Sequence, residues 1–101
     1  MLNITKKEIR EFLKKCREDN SFGWKLWRCG AFIYNDKVNF FLAYHGQGLN
    51  EIVYNESYDD IVEFEDLCDT YEYTLKTATD IAYEYTQDMI ESYEEKQEEV
   101  I

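Results

Sequence analysis

The 101-residue length fits one domain with a modest core, and 45% hydrophobic and 17% aromatic residues are well above the content of a disordered acidic protein. The net charge of −11 is unevenly distributed, since residues 1–50 carry +4 and residues 51–101 carry −15. A negative field of this size attracts basic protein surfaces and argues against direct nucleic-acid binding and against binding to anionic membranes.

A capping pattern predicts the first helix. Thr5 and Glu8 are spaced as a capping box, in which the Thr5 hydroxyl accepts a hydrogen bond from the Glu8 amide. Apolar residues then follow at helical spacing, and basic residues occupy the other faces. We expect the helix to end at the polar cluster of residues 19–21.

The middle of the chain predicts a three-stranded antiparallel sheet. Residues 24–34 and 38–44 are rich in aromatic and β-branched residues, and residues 35–37 between them are typical of a hairpin turn. Gly30 indicates a bulge or a close backbone approach within the first strand. Residues 51–55 are expected to form a third, shorter strand.

The C-terminal half predicts two helices. Residues 57–76 are compatible with helix or strand, and we favour a short helix over residues 58–69 followed by an extended link. From Thr77 an apolar stripe predicts a long helix, and its end, residues 94–101, should fray because acidic residues crowd the negative end of the helix dipole. The predicted fold is therefore α+β, in one domain over residues 1–101. The expected core is Ile9, Phe12, Leu13, Trp27, Ile33, Phe40, Leu42, Ile52, Phe64, Ile81, Tyr85 and Met89.

The cysteines and the single histidine give little support for a metal site or an enzyme. Cys16, Cys29 and Cys68 are odd in number and widely spaced, which fits reduced, buried thiols in a cytoplasmic protein. A zinc site needs four ligands at closer spacing, so we expect no metal and no cofactor. Cys29 and His45 lie on or after neighbouring strands and offer a small thiol enzyme as a third hypothesis, but nothing nearby obviously orients the imidazole. We expect a non-enzymatic protein.

Acidic residues on the last helix recur at spacings of 4, 4, 3, 4 and 3 from Asp80 to Glu98 and share one face. Five like-charged pairs at such spacings cost about 1–2.5 kcal/mol in total. A second acidic segment, residues 59–72, contains no basic residue. Carboxylates around an exposed tyrosine suit a groove lined with Arg and Lys. The residues expected to bind a partner are Asp59, Asp60, Glu63, Asp66, Asp69, Asp80, Tyr83, Glu84, Asp88, Glu91 and Glu95.

The order of these elements, together with the acidic segments 59–60 and 63–66 and the stripe from Asp80, resembles small phage or mobile-element inhibitors of the anti-CRISPR type. The resemblance implies a protein that occupies the DNA-binding groove of a CRISPR nuclease. The same order occurs in double-stranded-RNA-binding domains, but those need a basic last helix, and here that helix is acidic.

The leading hypothesis is a non-enzymatic acidic inhibitor that binds a basic, nucleic-acid-binding protein such as a nuclease, as a DNA mimic. Six carboxylates between Asp80 and Glu98 give one charge per roughly 5 Å, against 3.4 Å for one DNA strand. The alternative is an immunity or antitoxin protein that neutralises a basic toxin enzyme, which uses the same electrostatics. The basic face of the first helix also allows a head-to-tail homodimer with the acidic half of a second copy.

Overall fold

A helix at the N-terminus begins with the predicted cap. The computed structural model describes residues 2–21, 26–44, 60–68 and 71–99. Helix α1 spans Lys6–Ser21, and the Glu8 amide donates a hydrogen bond to Thr5 Oγ1 at 3.2 Å. Its inner face is fully buried at Ile9, Leu13 and Cys16, as the helical spacing predicted.

A β-hairpin follows. Strands β1 (Leu26–Tyr34) and β2 (Lys37–Tyr44) pair antiparallel, with Tyr34 opposite Lys37. The two turn residues, Asn35 and Asp36, have φ of 54° and 57°. This left-handed geometry matches the twist of the strands, and Asn and Asp tolerate it better than most residues, which explains why the hairpin prediction is confirmed.

The third described strand, β3, spans Ile61–Glu63 and pairs antiparallel with the other edge of β1, so the strand order is β2-β1-β3. The helix predicted over residues 58–69 is therefore wrong in its described part, where a short strand is followed by a 3₁₀ turn at Glu65–Leu67. The reason is non-local, because the free edge of β1 offers backbone partners that a local helix cannot match. The strand predicted at residues 51–55 lies outside the described residues.

Gly30 allows β1 and β3 to approach closely. A Cβ atom at this position would overlap the Val62 carbonyl oxygen and would lie 2.8 Å from the Phe41 ring. The close backbone approach predicted for this glycine is confirmed. The ladder continues beyond β3, since the Phe64 amide donates to the Cys29 carbonyl at 2.7 Å.

The long C-terminal helix, α2, spans Leu75–Glu99. Thr74 caps it, with its hydroxyl accepting a hydrogen bond from the Thr77 amide at 3.1 Å. Residues 94–99 are helical, and their fraying stays a prediction. Neither α1 nor α2 has the length and apolar character that a bilayer-crossing helix needs, and the described part of the chain has no other α-helix.

The core lies between the two helices and one face of the sheet. Phe12 of α1 stacks on Phe40 of β2 with ring centroids 4.5 Å apart, and Phe64 meets Phe12 edge-on at 6.3 Å. The fold class predicted from the sequence, α+β with one three-stranded antiparallel sheet, is confirmed. One core prediction is wrong, because the Tyr85 side chain is 48% exposed. The side chain of Trp27 and all of Ile52 lie outside the described part.

Candidate functional site

Five carboxylates form a continuous exposed row on α2, which we call the acidic ridge. It consists of Glu84, Asp88, Glu91, Glu95 and Glu98, and every one of these side chains is exposed. The opposite side of the helix is buried at Ala82, Thr86 and Met89. Because α2 turns about 100° per residue, the ridge points away from the core along a length of about 21 Å.

The charge of the ridge is unpaired within the described part of the fold. Among the described residues, none of its five carboxylates lies within ion-pair distance of a basic side chain. Each of these carboxylates also has another three or four positions away along the helix, so the row repels itself. The predicted acidic stripe is therefore present as a surface of uncompensated charge.

Asp80, which the sequence placed in the same stripe, differs from the ridge. Its carboxylate lies 3.3 Å from the Lys76 ammonium and 3.3 Å from the Lys6 ammonium of α1. Hydrogen bonds from Lys76 and Lys6 lower the pKa of Asp80 below its usual value. Asp80 thus joins α1 to α2 at the surface, and its charge is already matched.

Two acids of the second acidic segment are also matched by basic side chains. Asp60 accepts a hydrogen bond from the Lys96 ammonium at 3.2 Å, and Glu63 pairs with the Arg28 guanidinium across the sheet. Asp66 is exposed in the 3₁₀ turn. Asp59 and Asp69 lie outside the described residues. The two described pairs tie β3 to α2 and to β1, so these acids hold the fold together as well as contributing charge.

The two tyrosines at the centre of α2 exchange their predicted positions. Tyr83, expected at the exposed surface, is half-buried against the core, and the Lys6 ammonium lies 5.2 Å above its ring. Tyr85, expected in the core, is exposed and lines a shallow cleft of about 380 Å³ with Asp60 and Asp88. Tyr85 therefore brings the exposed aromatic surface beside the ridge that the sequence had assigned to Tyr83.

A basic cluster lies at the other end of α2. Lys6, Lys7 and Arg10 of α1 and Lys76 of α2 surround a cleft of about 420 Å³, with Asp80 as its one acidic lining residue. The basic face of α1 and the acidic ridge are thus separate surfaces of opposite sign. The charge split seen in the sequence persists in the fold as two distinct regions.

Three thiols meet in the core. Cys16 of α1, Cys29 of β1 and Cys68 after the 3₁₀ turn place their sulfur atoms within 4.8 Å of one another, and all three are free and buried. We call this group the thiol cluster. The wide sequence spacing used above to argue against a thiolate site is therefore misleading, because each cysteine occupies the inward position of a different element. A pairwise comparison of inward positions would have found the group.

Hydrogen bonds couple the three sulfurs. The Cys29 and Cys68 sulfurs are 3.1 Å apart. Hydrogen bonds with Cys16 and Cys29, together with the charge of Arg17, lower the pKa of Cys68, and hydrogen bonds with Cys16 and Cys68, together with burial, raise the pKa of Cys29. The three thiols are therefore coupled through one hydrogen-bond network, in which the Cys68 thiol also donates to the Phe64 carbonyl at 3.4 Å.

Arg17 holds the chain on both sides of this region. Its Nη2 donates to the Leu67 carbonyl at 3.1 Å and to the Tyr73 carbonyl at 2.8 Å. A charged donor bonded to two backbone carbonyls fixes the segment that carries Cys68 against the end of α1. Its charge also lies near enough to favour the Cys68 thiolate.

Cys29 of the predicted cysteine–histidine pair lies in the interior of the structure, where its exposure is 0% and its sulfur contacts that of Cys68. His45 lies outside the described residues. Comparison with protein-family models, with curated proteins and with solved structures finds no match for the chain.

Proposed function

We propose that the protein is a non-enzymatic inhibitor whose acidic ridge occupies the basic, nucleic-acid-binding surface of another protein. The observation that carries this proposal is the contrast in pairing. Asp60, Glu63 and Asp80 each have a basic partner within the fold, whereas the five ridge carboxylates have none among the described residues. Asp66 and Glu72 are also exposed and have no basic partner among the described residues, but the ridge sets five such carboxylates in one row that an external cationic surface can contact.

The spacing of the ridge supports a nucleic-acid-binding partner. Five carboxylates over about 21 Å give one charge per roughly 5 Å along the helix, while one DNA strand carries a phosphate every 3.4 Å. Grooves that bind nucleic acid present Arg and Lys side chains along a line, and carboxylates accept bidentate hydrogen bonds from Arg as phosphates do. The exposed ring of Tyr85 beside Asp88 offers cation–π contact to the same side chains.

The anchoring of α2 supports the same function. Its buried face and the Lys96–Asp60 pair hold Glu84, Asp88 and Glu91 in a line before a partner arrives, while Glu95 and Glu98 lie in the end that is predicted to fray. A preorganised row of charges loses less conformational entropy on binding than a flexible acidic tail does. Electrostatic attraction would mainly accelerate association, and its effect would fall with rising salt.

The test is competition with DNA. An extract of the native host is loaded on DNA-cellulose at low salt, and the column is eluted with the purified protein. We expect release of a basic DNA-binding protein, identified by mass spectrometry. The variant E84Q/D88N/E91Q should release much less of it, because three ridge charges are removed.

A matched variant, E8Q/E11Q/E72Q, removes three exposed carboxylates outside the ridge and has the same net charge as the ridge variant. It should elute the partner as the unmodified protein does. Equal release by the ridge variant, or no release by the unmodified protein, would contradict the proposal. In a parallel pull-down on the immobilised protein at low salt, capture of a basic toxin enzyme that DNA-cellulose does not retain would support the immunity-protein alternative instead.

A further inference from the structure

The thiol cluster has the dimensions of a metal site. Zinc–sulfur bonds of about 2.3 Å place tetrahedral sulfur ligands roughly 3.8 Å apart. In the cluster the Cys29 and Cys68 sulfurs are 3.1 Å apart, and all three sulfurs lie within 4.8 Å of one another. An ion at the centre would therefore need only small side-chain adjustments, and no element would have to move.

We propose that Cys16, Cys29 and Cys68 bind one soft d¹⁰ metal ion, Cu⁺ or Zn²⁺, through three thiolates. Thiolate ligands select these ions over hard cations such as Mg²⁺ or Ca²⁺, which prefer oxygen. The described residues offer no histidine or carboxylate to complete the cluster. The donor set is thus sulfur only. The three cysteines are 0–1% exposed, which limits the exchange of a bound ion with the solvent.

The three ligands are positioned before any ion binds. Cys16 is in the interior of α1 and Cys29 is within the central strand of the sheet. The Cys68 amide donates to the Glu65 carbonyl at 3.1 Å, and Arg17 fixes the preceding residue. Isolated buried cysteines act as small apolar residues. Here three sulfurs from separate elements face one another, which is the arrangement that metal ligation requires.

Charge and coordination number favour different members of the d¹⁰ class. Three thiolates carry −3 and Arg17 carries +1, so Zn²⁺ would make the group neutral and Cu⁺ would leave −1. Three sulfur ligands alone suit Cu⁺, while Zn²⁺ takes four ligands in most structural sites. Both ions bind thiolate ligands, and separate titrations distinguish them.

Binding is a substitution without electron transfer. Each thiol that ligates the metal loses its proton to the buffer, and a sulfur–metal bond replaces the sulfur–hydrogen bond. Starting from three protonated thiols, one ion releases three protons. The metal keeps its oxidation state throughout.

The experiment uses the full chain, reduced and kept without oxygen. It is titrated with Cu⁺ in one arm and with Zn²⁺ in the other, each against a coloured competing chelator, and the bound metal is counted after desalting. We expect one ion per chain in the arm that the site prefers, a sulfur-to-metal charge-transfer band for Cu⁺, and a rise in Tm with either bound ion.

Variants C16A, C29A and C68A should each weaken binding at least tenfold. The variant M89L is the matched control, because it removes a buried sulfur from the same core outside the cluster and should leave the stoichiometry at one. Circular dichroism checks the folding of each variant, and the titration of the unmodified chain decides the matter even if a cysteine variant fails to fold.

The metal site would be overturned if the unmodified chain retained no more metal than the triple variant C16A/C29A/C68A. It would also be overturned if metal binding were unchanged in every folded single-cysteine variant. A Cys29–Cys68 disulfide that forms in air at the same rate with and without the metal would be a third contradicting outcome. The site does not depend on the acidic ridge. The variant E84Q/D88N/E91Q should therefore bind the metal as the unmodified chain does.

Discussion

The two acidic segments of the chain have similar compositions and different roles in the fold. Residues 59–72 and the stripe on α2 are both dense in Asp and Glu and poor in Lys and Arg. In the structure Asp60 and Glu63 contact Lys96 and Arg28, so described acids of the first segment stabilise contacts between elements. The ridge on α2 has no such partners among the described residues.

Local charge density along the sequence is therefore a poor measure of the charge that is available to a partner. Lys96 lies among ridge acids in the sequence, yet its side chain reaches Asp60 on the other segment. A counterion that appears to belong to the ridge is therefore used elsewhere. The ridge is therefore more negative than the net charge of its stretch of sequence indicates. The first acidic segment is less negative than its own stretch of sequence indicates.

The largest expected effect comes from reversing the ridge. The variant E84K/D88K/E91K should slow association with the partner released from DNA-cellulose by about 10- to 1000-fold at low salt, because electrostatic steering is lost. Stopped-flow measurements at several salt concentrations test this, and most of the salt dependence should disappear with the charge. The variant E8K/E11K/E72K, with the same change in net charge, should associate much faster than E84K/D88K/E91K. Equal association rates for the two variants would contradict the ridge hypothesis.

A second substitution tests the paired segment. Gly30→Ala should destabilise the protein by about 1–3 kcal/mol, because the new methyl group would overlap the Val62 carbonyl and the Phe41 ring and push β3 from β1. Urea denaturation measures the loss. Association through the ridge should persist in the folded fraction. If the folded Gly30→Ala protein no longer bound the partner through the ridge, the two acidic segments would act as one surface.

Local patterns predicted the elements that local contacts stabilise. The Thr5 cap, the apolar face of α1 and the Asn35-Asp36 turn each depend on residues only a few positions apart, so the sequence was enough. Strand β3 is three residues long and too short to show a period. Its conformation depends on a free strand edge some 30 residues away, which no local pattern contains.

The inward position of Thr86 on α2 and the thiol cluster were missed for a related reason. Thr86 is fully buried, and its hydroxyl donates to the Ala82 carbonyl at 2.7 Å, so a polar residue occupies the inner face. A search for apolar residues alone shifted the stripe toward Tyr85. The cluster joins three elements, and distance along the chain says little about distance between inward positions.

The Arg28–Glu63 pair should contribute modestly. Both side chains are partly exposed, at 29% and 40%, so a double-mutant cycle with R28Q and E63Q should give a coupling free energy of about 0.2–1 kcal/mol. The coupling should shrink in 1 M salt. A coupling free energy near zero in low salt would mean that β3 is held by backbone hydrogen bonds alone, and that Glu63 belongs with the available charges rather than the paired ones.

The smallest effect concerns Asp80, at the boundary between paired and unpaired acids. Because Lys76 and Lys6 lower its pKa in the folded state, its contribution to stability is present above the unfolded pKa and is lost as pH falls through the lower folded pKa. Carboxyl NMR titration should therefore find Asp80 titrating below its usual value, and K76Q should raise its pKa toward that value. A pKa of Asp80 that K76Q and K6Q leave unchanged would return this residue to the acidic ridge and extend that surface by one helical turn.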